Sequence, residues 1–300
     1  MLTGLNIAVI GGDARQLEVI RKLAELDAKI WMAGFDQLDH GFAGAAKAKM
    51  NEIDFTAIHA IILPVPGSAM NGTIDTVFSN EEISLDRKWL DRTPEDTVIY
   101  SGISNAYLDG ILKEAKRKHV QLLERDDVAI YNSIPTVEGT IMMVIQNTDF
   151  TIHGSSVSVL GLGRVGMSVA RAFAGLGAKV KVGARKSSDL ARIEEMGLTP
   201  FRLLDLANTA ADTDICINTI PHLVLTAEVL AEFPSHAIVI DLASKPGGTD
   251  FKFAEKRGIK AMLAPGLPGI VAPKTAGQIL ANVLTQLLSE QLKERKGSAQ

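Results

Sequence analysis

Short apolar runs and longer stretches of helical spacing alternate along this chain. Residues 5–10 form the first apolar run, and residues 16–26 then place apolar side chains three and four apart. Runs of the first kind predict buried strands, and spacing of the second kind predicts helices with one apolar face. The strand signal returns at 29–33, 60–63, 97–100 and 120–123, with a helix predicted over 105–118 and a short helical piece over 43–50. Residues 69–93 break the rhythm: they are polar and irregular, carry two acidic stretches, and read as an excursion. Pro135 and Glu138 then sit near the start of a helical stretch ending at Gln146. A first turn tolerates a missing N–H and favours a negative charge. This helix is expected to cross toward a second domain, with the boundary near residue 150.

Beyond that point the alternation resumes, with strands predicted at 158–160, 179–182, 199–201, 215–218, 238–241 and 261–263. Strands separated by helices imply parallel sheets with right-handed crossovers. The predicted fold is α/β, with two doubly wound, Rossmann-like domains at 1–150 and 151–274 and a cleft between them. A strongly apolar helix at 275–292 is expected to pack back on the first domain or against another copy of the chain, and 293–300 reads as a polar, mobile tail.

One stretch carries the clearest chemistry. Val157-Ser158-Val159-Leu160 runs into Gly161-Leu162-Gly163-Arg164-Val165-Gly166, and a helical pattern follows at once. This is the strand–turn–helix context of a dinucleotide fingerprint. Gly161 allows the tight turn, Gly163 lets the backbone approach a pyrophosphate, and Gly166 lets the helix pack close to the sheet. Free N–H groups at the helix start hold the phosphates. The next strand ends in Gly183-Ala184-Arg185-Lys186-Ser187-Ser188, and no carboxylate occurs until Asp189. NAD sites place an acid about 20 residues past the first glycine, on the ribose 2′-OH. Here Arg185 and Lys186 stand where a 2′-phosphate would lie, so NADP is the predicted cofactor. The first domain has a degraded version of the turn, Gly11-Gly12-Asp13-Ala14-Arg15-Gln16. It lacks the third glycine, and Asp13 would repel a pyrophosphate, so no nucleotide is expected there.

Bulk properties narrow the class. At 46% apolar and 22% charged, the 300 residues suit two globular domains. A net charge of −4 and the lack of a long basic run argue against nucleic acid. Met1-Leu2-Thr3-Gly4 leads straight into a strand, and no apolar run reaches about 18 residues, so neither a signal peptide nor a membrane span is expected. The lone Cys216 reads as a core residue, and the histidines show no metal-ligand spacing, so no metal is expected. A cytoplasmic protein follows from these readings.

Ligands of open α/β sheets bind at the carboxyl ends of the strands. In the second domain that rule selects Thr219, Ile220 and Pro221, then Asp241, Leu242, Ala243 and Ser244, then Pro265, Gly266, Leu267 and Pro268. With Gly161, Leu162, Gly163, Arg164, Val165, Ala184, Arg185, Lys186 and Ser187, these are the cofactor-contact candidates. In the first domain it selects Arg15, Ser68, Ser101 and Gly102 for the substrate, with Lys274 near the presumed cleft. His222 could relay a proton, Arg15 could clamp a carboxylate, and Lys245 would suit an anion. A loop histidine and a solvated arginine are the plain alternatives. Asp13 and Asp241 read as capping or structural groups rather than a catalytic pair.

These residues resemble a known family. The degraded turn at Gly11, Asn132-Ser133-Ile134-Pro135-Thr136-Val137-Glu138-Gly139, the turn at Gly161, Ile240-Asp241-Leu242-Ala243-Ser244-Lys245-Pro246-Gly247-Gly248 and Pro265-Gly266-Leu267-Pro268-Gly269 together resemble the dipicolinate synthase A-subunit of endospore-forming bacteria, over essentially the full length. The resemblance implies a two-domain architecture of the 2-hydroxy-acid and alanine dehydrogenase type. It implies formation of pyridine-2,6-dicarboxylate from 4-hydroxytetrahydrodipicolinate or its dihydro form, a branch from lysine biosynthesis. It also implies a second partner, the flavoprotein-like B-subunit of dipicolinate synthase, and action in the mother-cell cytosol during sporulation. A homo-oligomer is expected. Two other readings stay open: an NADP-dependent dehydrogenase of small hydroxy or keto acids, and a non-catalytic NADP-binding partner of the flavoprotein-like chain.

Overall fold

In the computed structural model, residues 1–298 are described. The chain divides into two compact units, residues 1–131 with 272–300, and residues 132–271. The first contains β1 (Asn6–Ile10), α1 (Ala14–Glu25), β2 (Lys29–Ala33), β3 (Ala45–Lys47), β4 (Ala60–Ile62), β5 (Thr73–Ile74), β6 (Ile83–Ser84), α2 (Arg87–Leu90), β7 (Val98–Ser101), α3 (Ala106–Glu114) and β8 (Lys118–Gln121). Helix α4 (Asp126–Asn147) leads into the second unit. There follow β9 (Ser156–Leu160), α5 (Arg164–Gly175), β10 (Lys179–Ala184), α6 (Ser187–Glu195), β11 (Thr199–Arg202), α7 (Leu206–Ala210), β12 (Ile215–Asn218), α8 (Ala227–Glu232), β13 (Ile238–Asp241), α9 (Phe251–Arg257), β14 (Lys260–Leu263) and α10 (Leu267–Val271). Helix α11 (Pro273–Ser298) belongs to the first unit.

Each unit holds a parallel sheet, in the orders β3-β2-β1-β4-β7-β8 and β11-β10-β9-β12-β13-β14. These are the same doubly wound order, with the switch point between the first strand of the unit and the fourth. The central strands are apolar on both faces because both faces are covered. Ile7, Ala8, Val9 and Ile10 of β1 and Val157, Val159 and Leu160 of β9 are all fully buried. In the first unit, Val19, Ile20 and Leu23 of α1 join Leu280, Leu284 and Leu288 of α11 in one core. In the second, Val169, Ala170 and Phe173 of α5 pack with β9, β10 and the later residues of α4.

The α/β prediction with two doubly wound units holds, and three local expectations change. Residues 43–50 are not helical: Ala45–Lys47 form an edge strand paired to β2 through Ile30↔Ala45 and Trp31↔Ala46. The run is alanine-rich, which suggests helix, but the open edge of β2 offers backbone partners that a short isolated helix lacks. The division falls between residues 131 and 132, earlier than residue 150, because α4 starts at Asp126 and its Val137 and Val144 sit in the second unit's core. Pro135 is therefore an interior residue of α4, just past the point where the helix changes units. By length and composition α4 could cross a bilayer. Its Val128, Val137 and Val144 sit in the cores of the two units, while Ile130, Tyr131, Ile134 and Ile145 are exposed. Finally, residues 293–298 are not a loose tail: they continue α11, and Arg295 pairs with Asp96 at 2.7 Å. Residues 299–300 of the predicted tail lie outside the described residues.

Candidate functional site

The site is built at the carboxyl end of β9. Gly161 leaves the strand at φ +97°, a left-handed conformation, and a Cβ there would stand 2.7 Å from Thr219 Oγ1. Thr219 secures this approach: its hydroxyl donates to Leu160 O at 2.8 Å, and its N–H donates to the same carbonyl at 3.0 Å. A Cβ on Gly166 would stand 2.1 Å from Gly161 O, so helix-to-turn packing alone dictates that glycine. Gly163 is different. Its φ of −80° suits any residue, and, its chain neighbours aside, no atom of the described residues lies within 4 Å of where its Cβ would be. The fold does not need a glycine there. Its absent side chain leaves open the approach to the first turn of α5, which has no side-chain cap. First-turn amides lack helical partners and carry the positive end of the dipole. An uncapped helix start beside a glycine with open space around it is the kind of cradle that binds an anion such as a dinucleotide diphosphate.

At the end of β10, Ala184 is buried while Arg185, Lys186 and Ser187 are exposed. Helix α6 begins there, at Ser187. Gly183 allows Phe201 to pack across the strand, since a Cβ would stand 2.5 Å from its ring. Leu162 and Val165 are partly buried, and Arg164 is exposed at the helix start.

The loops after β12 and β13 lock together. Asp241 is fully buried and accepts from Ala243 N–H at 3.0 Å, Gly248 N–H at 2.8 Å and Thr249 Oγ1 at 2.6 Å. Gly248 O in turn accepts from Val224 and Leu225 N–H, each at 3.0 Å. Asn218, also fully buried, accepts from Ile220 N–H at 3.0 Å and donates to Ile220 O at 3.1 Å. The Asp241 side chain therefore shapes a loop and has no face for a cofactor, which corrects its place among the contact candidates. The same holds for the side chains of Ala243, Leu267 and Pro268, which are buried. Leu267 packs on Gly139 of α4, at 3.0 Å from where a Cβ would be. Pro221, His222, Ser244, Lys245, Pro265 and Gly266 are exposed, with Ile220 and Leu242 partly so.

In the first unit the degraded turn is covered. Gly12 N–H donates to Asp75 O at 2.7 Å, and Val77 N–H donates to Gly12 O at 3.0 Å. A Cβ on Gly11 would stand 2.6 Å from Asp75 O. The excursion has laid its own chain across the place a diphosphate would occupy. Asp13 caps α1 by accepting from Arg15 N–H at 2.9 Å. It also takes a two-pronged contact from the Arg15 guanidinium, with Nε at 2.9 Å and Nη2 at 2.6 Å. Burial pushes the Asp13 carboxyl up, but the hydrogen bonds and charge of Arg15 outweigh this and hold it below its usual range. Nη1 of Arg15 is left for another acceptor.

The other substrate candidates divide. Ser101 is fully buried, and its hydroxyl is used within the fold, donating to Ile103 O at 2.7 Å with His119 Nε2 at 2.8 Å. A Cβ on Gly102 would stand 2.6 Å from Val65 O, so that glycine serves packing. The Ser101 hydroxyl is not turned to a ligand, which corrects that expectation, and Gly102 O accepts from Leu123 N–H at 2.9 Å. Ser68 is 5% exposed and its Oγ has no partner among the described residues, while Lys274 is exposed on the first turn of α11. Cys216 is buried, which pushes its thiol up and makes it a poor nucleophile.

Sequence reasoning missed the cover over Gly12 and the Asp241 loop network. The first has no periodic signal, because β5 and β6 are two residues each. The second had a signal, an acid followed seven and eight positions later by glycine and threonine, without a rule that ties them.

Two units of one doubly wound order, with a glycine turn and an uncapped helix start in the second, define a dinucleotide-binding protein of Rossmann type. Residues 129–300 match the alanine dehydrogenase/PNT C-terminal domain family, and residues 6–123 match the family of the dipicolinate synthase A-subunit N-terminal domain. The chain is 66% identical over 290 residues to the dipicolinate synthase A-subunit of Bacillus subtilis (strain 168), covering 97% of this chain and 98% of that protein. It belongs to the dipicolinate synthase A-subunit family. The crystal structure of the dipicolinate synthase A-subunit from Bacillus halodurans is 65% identical, with a TM-score of 0.95 over 96% of this chain and 99% of that one. An L-alanine dehydrogenase, 16% identical with a TM-score of 0.62 over 95% of this chain and 89% of that one, shares the fold.

Proposed function

We propose that this chain is the NADP-dependent component of a dipicolinate synthase. It oxidises dihydrodipicolinate, or 4-hydroxytetrahydrodipicolinate with loss of water, to pyridine-2,6-dicarboxylate. The observation that carries this reading is the cradle beside Gly163, next to a β10 end that offers Arg185 and Lys186 and no carboxylate. The α5 amides hold the diphosphate, and Arg185 with Lys186 holds the 2′-phosphate. When bound, the nicotinamide supplies the hydride acceptor. The substrate is a dianion, and Arg15 Nη1, the one prong its Asp13 pairing leaves, takes a carboxylate. Lys245 and Lys274 add positive charge. The ring loses a proton as well as a hydride, and His222, exposed at the end of β12, takes the proton. Aromatisation supplies driving force, so the protein's main task is alignment. The flavoprotein-like B-subunit is the partner, the working form is a homo-oligomer, and the setting is the mother-cell cytosol during sporulation.

The test is a redox assay of the purified chain, with and without the flavoprotein-like partner. Substrate should reduce NADP⁺ in the presence of this chain, and Arg185→Ala should lower the preference for NADP⁺ over NAD⁺. No reduction of either dinucleotide under both conditions would remove the catalytic role.

A further inference from the structure

We infer that the first unit keeps a second small-molecule site, for a nucleoside or a like-sized neutral heteroaromatic diol that carries no phosphate. The site is a cavity of about 390 Å³ at the carboxyl ends of β2 and β3. That volume falls within the range of small-ligand pockets, roughly 300–1,000 Å³. In a sheet of this order, the end of the second strand faces the nucleoside part of a bound nucleotide. The second unit meets that position with Arg185 and Lys186; the first meets it with Asp36.

The chemistry of the walls sets the ligand. Ala48, Met50, Ile83 and Trp89 give an apolar lining. Asp36, Glu52, Glu81 and Glu82 ring it with carboxylates, against only Lys47 and Lys49. Lys49 is paired with Glu81, and Lys47 Nζ is turned toward the backbone, donating to Leu38 O. A phosphate would therefore meet net negative charge, four carboxylates against two lysines of which Lys49 is already paired with Glu81. Asp36 is exposed at the strand end and suits a vicinal diol, whose hydroxyls donate to a carboxylate. The diphosphate channel beside it is closed. The Gly12 amide is taken by Asp75 O, and a Cβ on Gly34 would stand 2.8 Å from Thr76 Cγ2 and 3.3 Å from Gly11 Cα. The excursion has thus cut off the phosphate half of a nucleotide site and left the nucleoside half. This inference does not depend on the reaction proposed above.

Calorimetric titration of the full chain with adenosine tests it, with the second unit's cradle first saturated by dinucleotide. We expect one equivalent of adenosine to bind, with adenosine 5′-monophosphate at least about tenfold weaker. Asp36→Ala should weaken adenosine about tenfold, and Ala48→Phe, which places a ring in the cavity, should abolish binding. Dinucleotide affinity should be unchanged in both variants, which shows that they fold. Lack of adenosine binding up to millimolar concentration would overturn the site. So would binding that saturating dinucleotide removes, or binding unchanged in both variants.

Discussion

Gly163 and Gly166 lie three residues apart in one motif, yet the structure gives them opposite reasons to be glycine. A methyl on Gly166 would stand 2.1 Å from Gly161 O, well inside van der Waals contact, and both partners are backbone. Overpacking of this kind costs about 1–3 kcal/mol, and more where nothing can yield. Taking about 3 kcal/mol, and about 2–4 °C per kcal/mol for a chain of this size, Gly166→Ala should lower Tm by roughly 6–12 °C. Its chain neighbours aside, a methyl on Gly163 meets no atom of the described residues within 4 Å, and its φ of −80° carries no strain. Gly163→Ala should leave Tm within about 2 °C, since unstrained exposed changes stay within about 0.5 kcal/mol. The same methyl narrows the turn through which a diphosphate approaches the uncapped first turn of α5. Losing one or two charge-assisted hydrogen bonds, about 1.5–3 kcal/mol each, weakens dinucleotide binding by about tenfold to a thousandfold or more. Differential scanning fluorimetry and calorimetric titration on the same preparations read both quantities. Wild-type dinucleotide affinity in Gly163→Ala would refute the reasoning, as would a wild-type Tm in Gly166→Ala.

Further outcomes follow from the same geometry. Arg185→Ala should weaken NADPH about tenfold and leave NADH nearly unchanged in parallel titrations, because only the 2′-phosphate contact is lost. Arg15→Ala should raise KM for the dianion by about tenfold or more while dinucleotide affinity holds, as steady-state kinetics beside a binding titration would show. Asp241→Ala leaves the Ala243 and Gly248 N–H groups and the Thr249 hydroxyl without their buried acceptor. It should cost about 3–5 kcal/mol in chemical denaturation, and Asp241→Asn less. Burial holds the His119 pKa below its usual 6.5, partly offset by Asp109 and Glu124. The folded state thus favours the neutral ring. That contribution is complete above pH 6.5 and is lost as pH falls through the lowered folded value. Denaturation of His119→Gln at about pH 7.5 and about pH 5.5 should show a smaller acid loss than wild type.

The strands were the most legible part of the chain. Ile215–Asn218 and Ile238–Asp241 fall where their apolar runs predict, since a strand buried on both faces has few polar positions to blur it. The cradle was legible because a glycine spacing is a statement about backbone. Its sequence could not show that Gly166 serves packing and Gly163 serves access, because that difference lies in Gly161 O and in empty space. Ser101 and Gly102 were chosen by their place at a strand end. The rule locates the end of the strand but does not say which way a side chain faces; Ser101 turned inward, and Gly102 is a packing position against Val65. Ala45–Lys47 was misread because an edge strand is held by its neighbour's backbone rather than by its own apolar pattern.

The central claim is that the turn from Gly161 to Gly166 holds a nicotinamide dinucleotide that carries a 2′-phosphate. Titration of the purified chain with NADPH and with NADH, under one buffer and salt condition, tests it most directly. The account predicts saturable binding of both at one site per chain, with NADPH tighter by about tenfold or more. Equal affinity for the two would contradict the assignment of Arg185 and Lys186, and no binding of either would contradict the cradle itself.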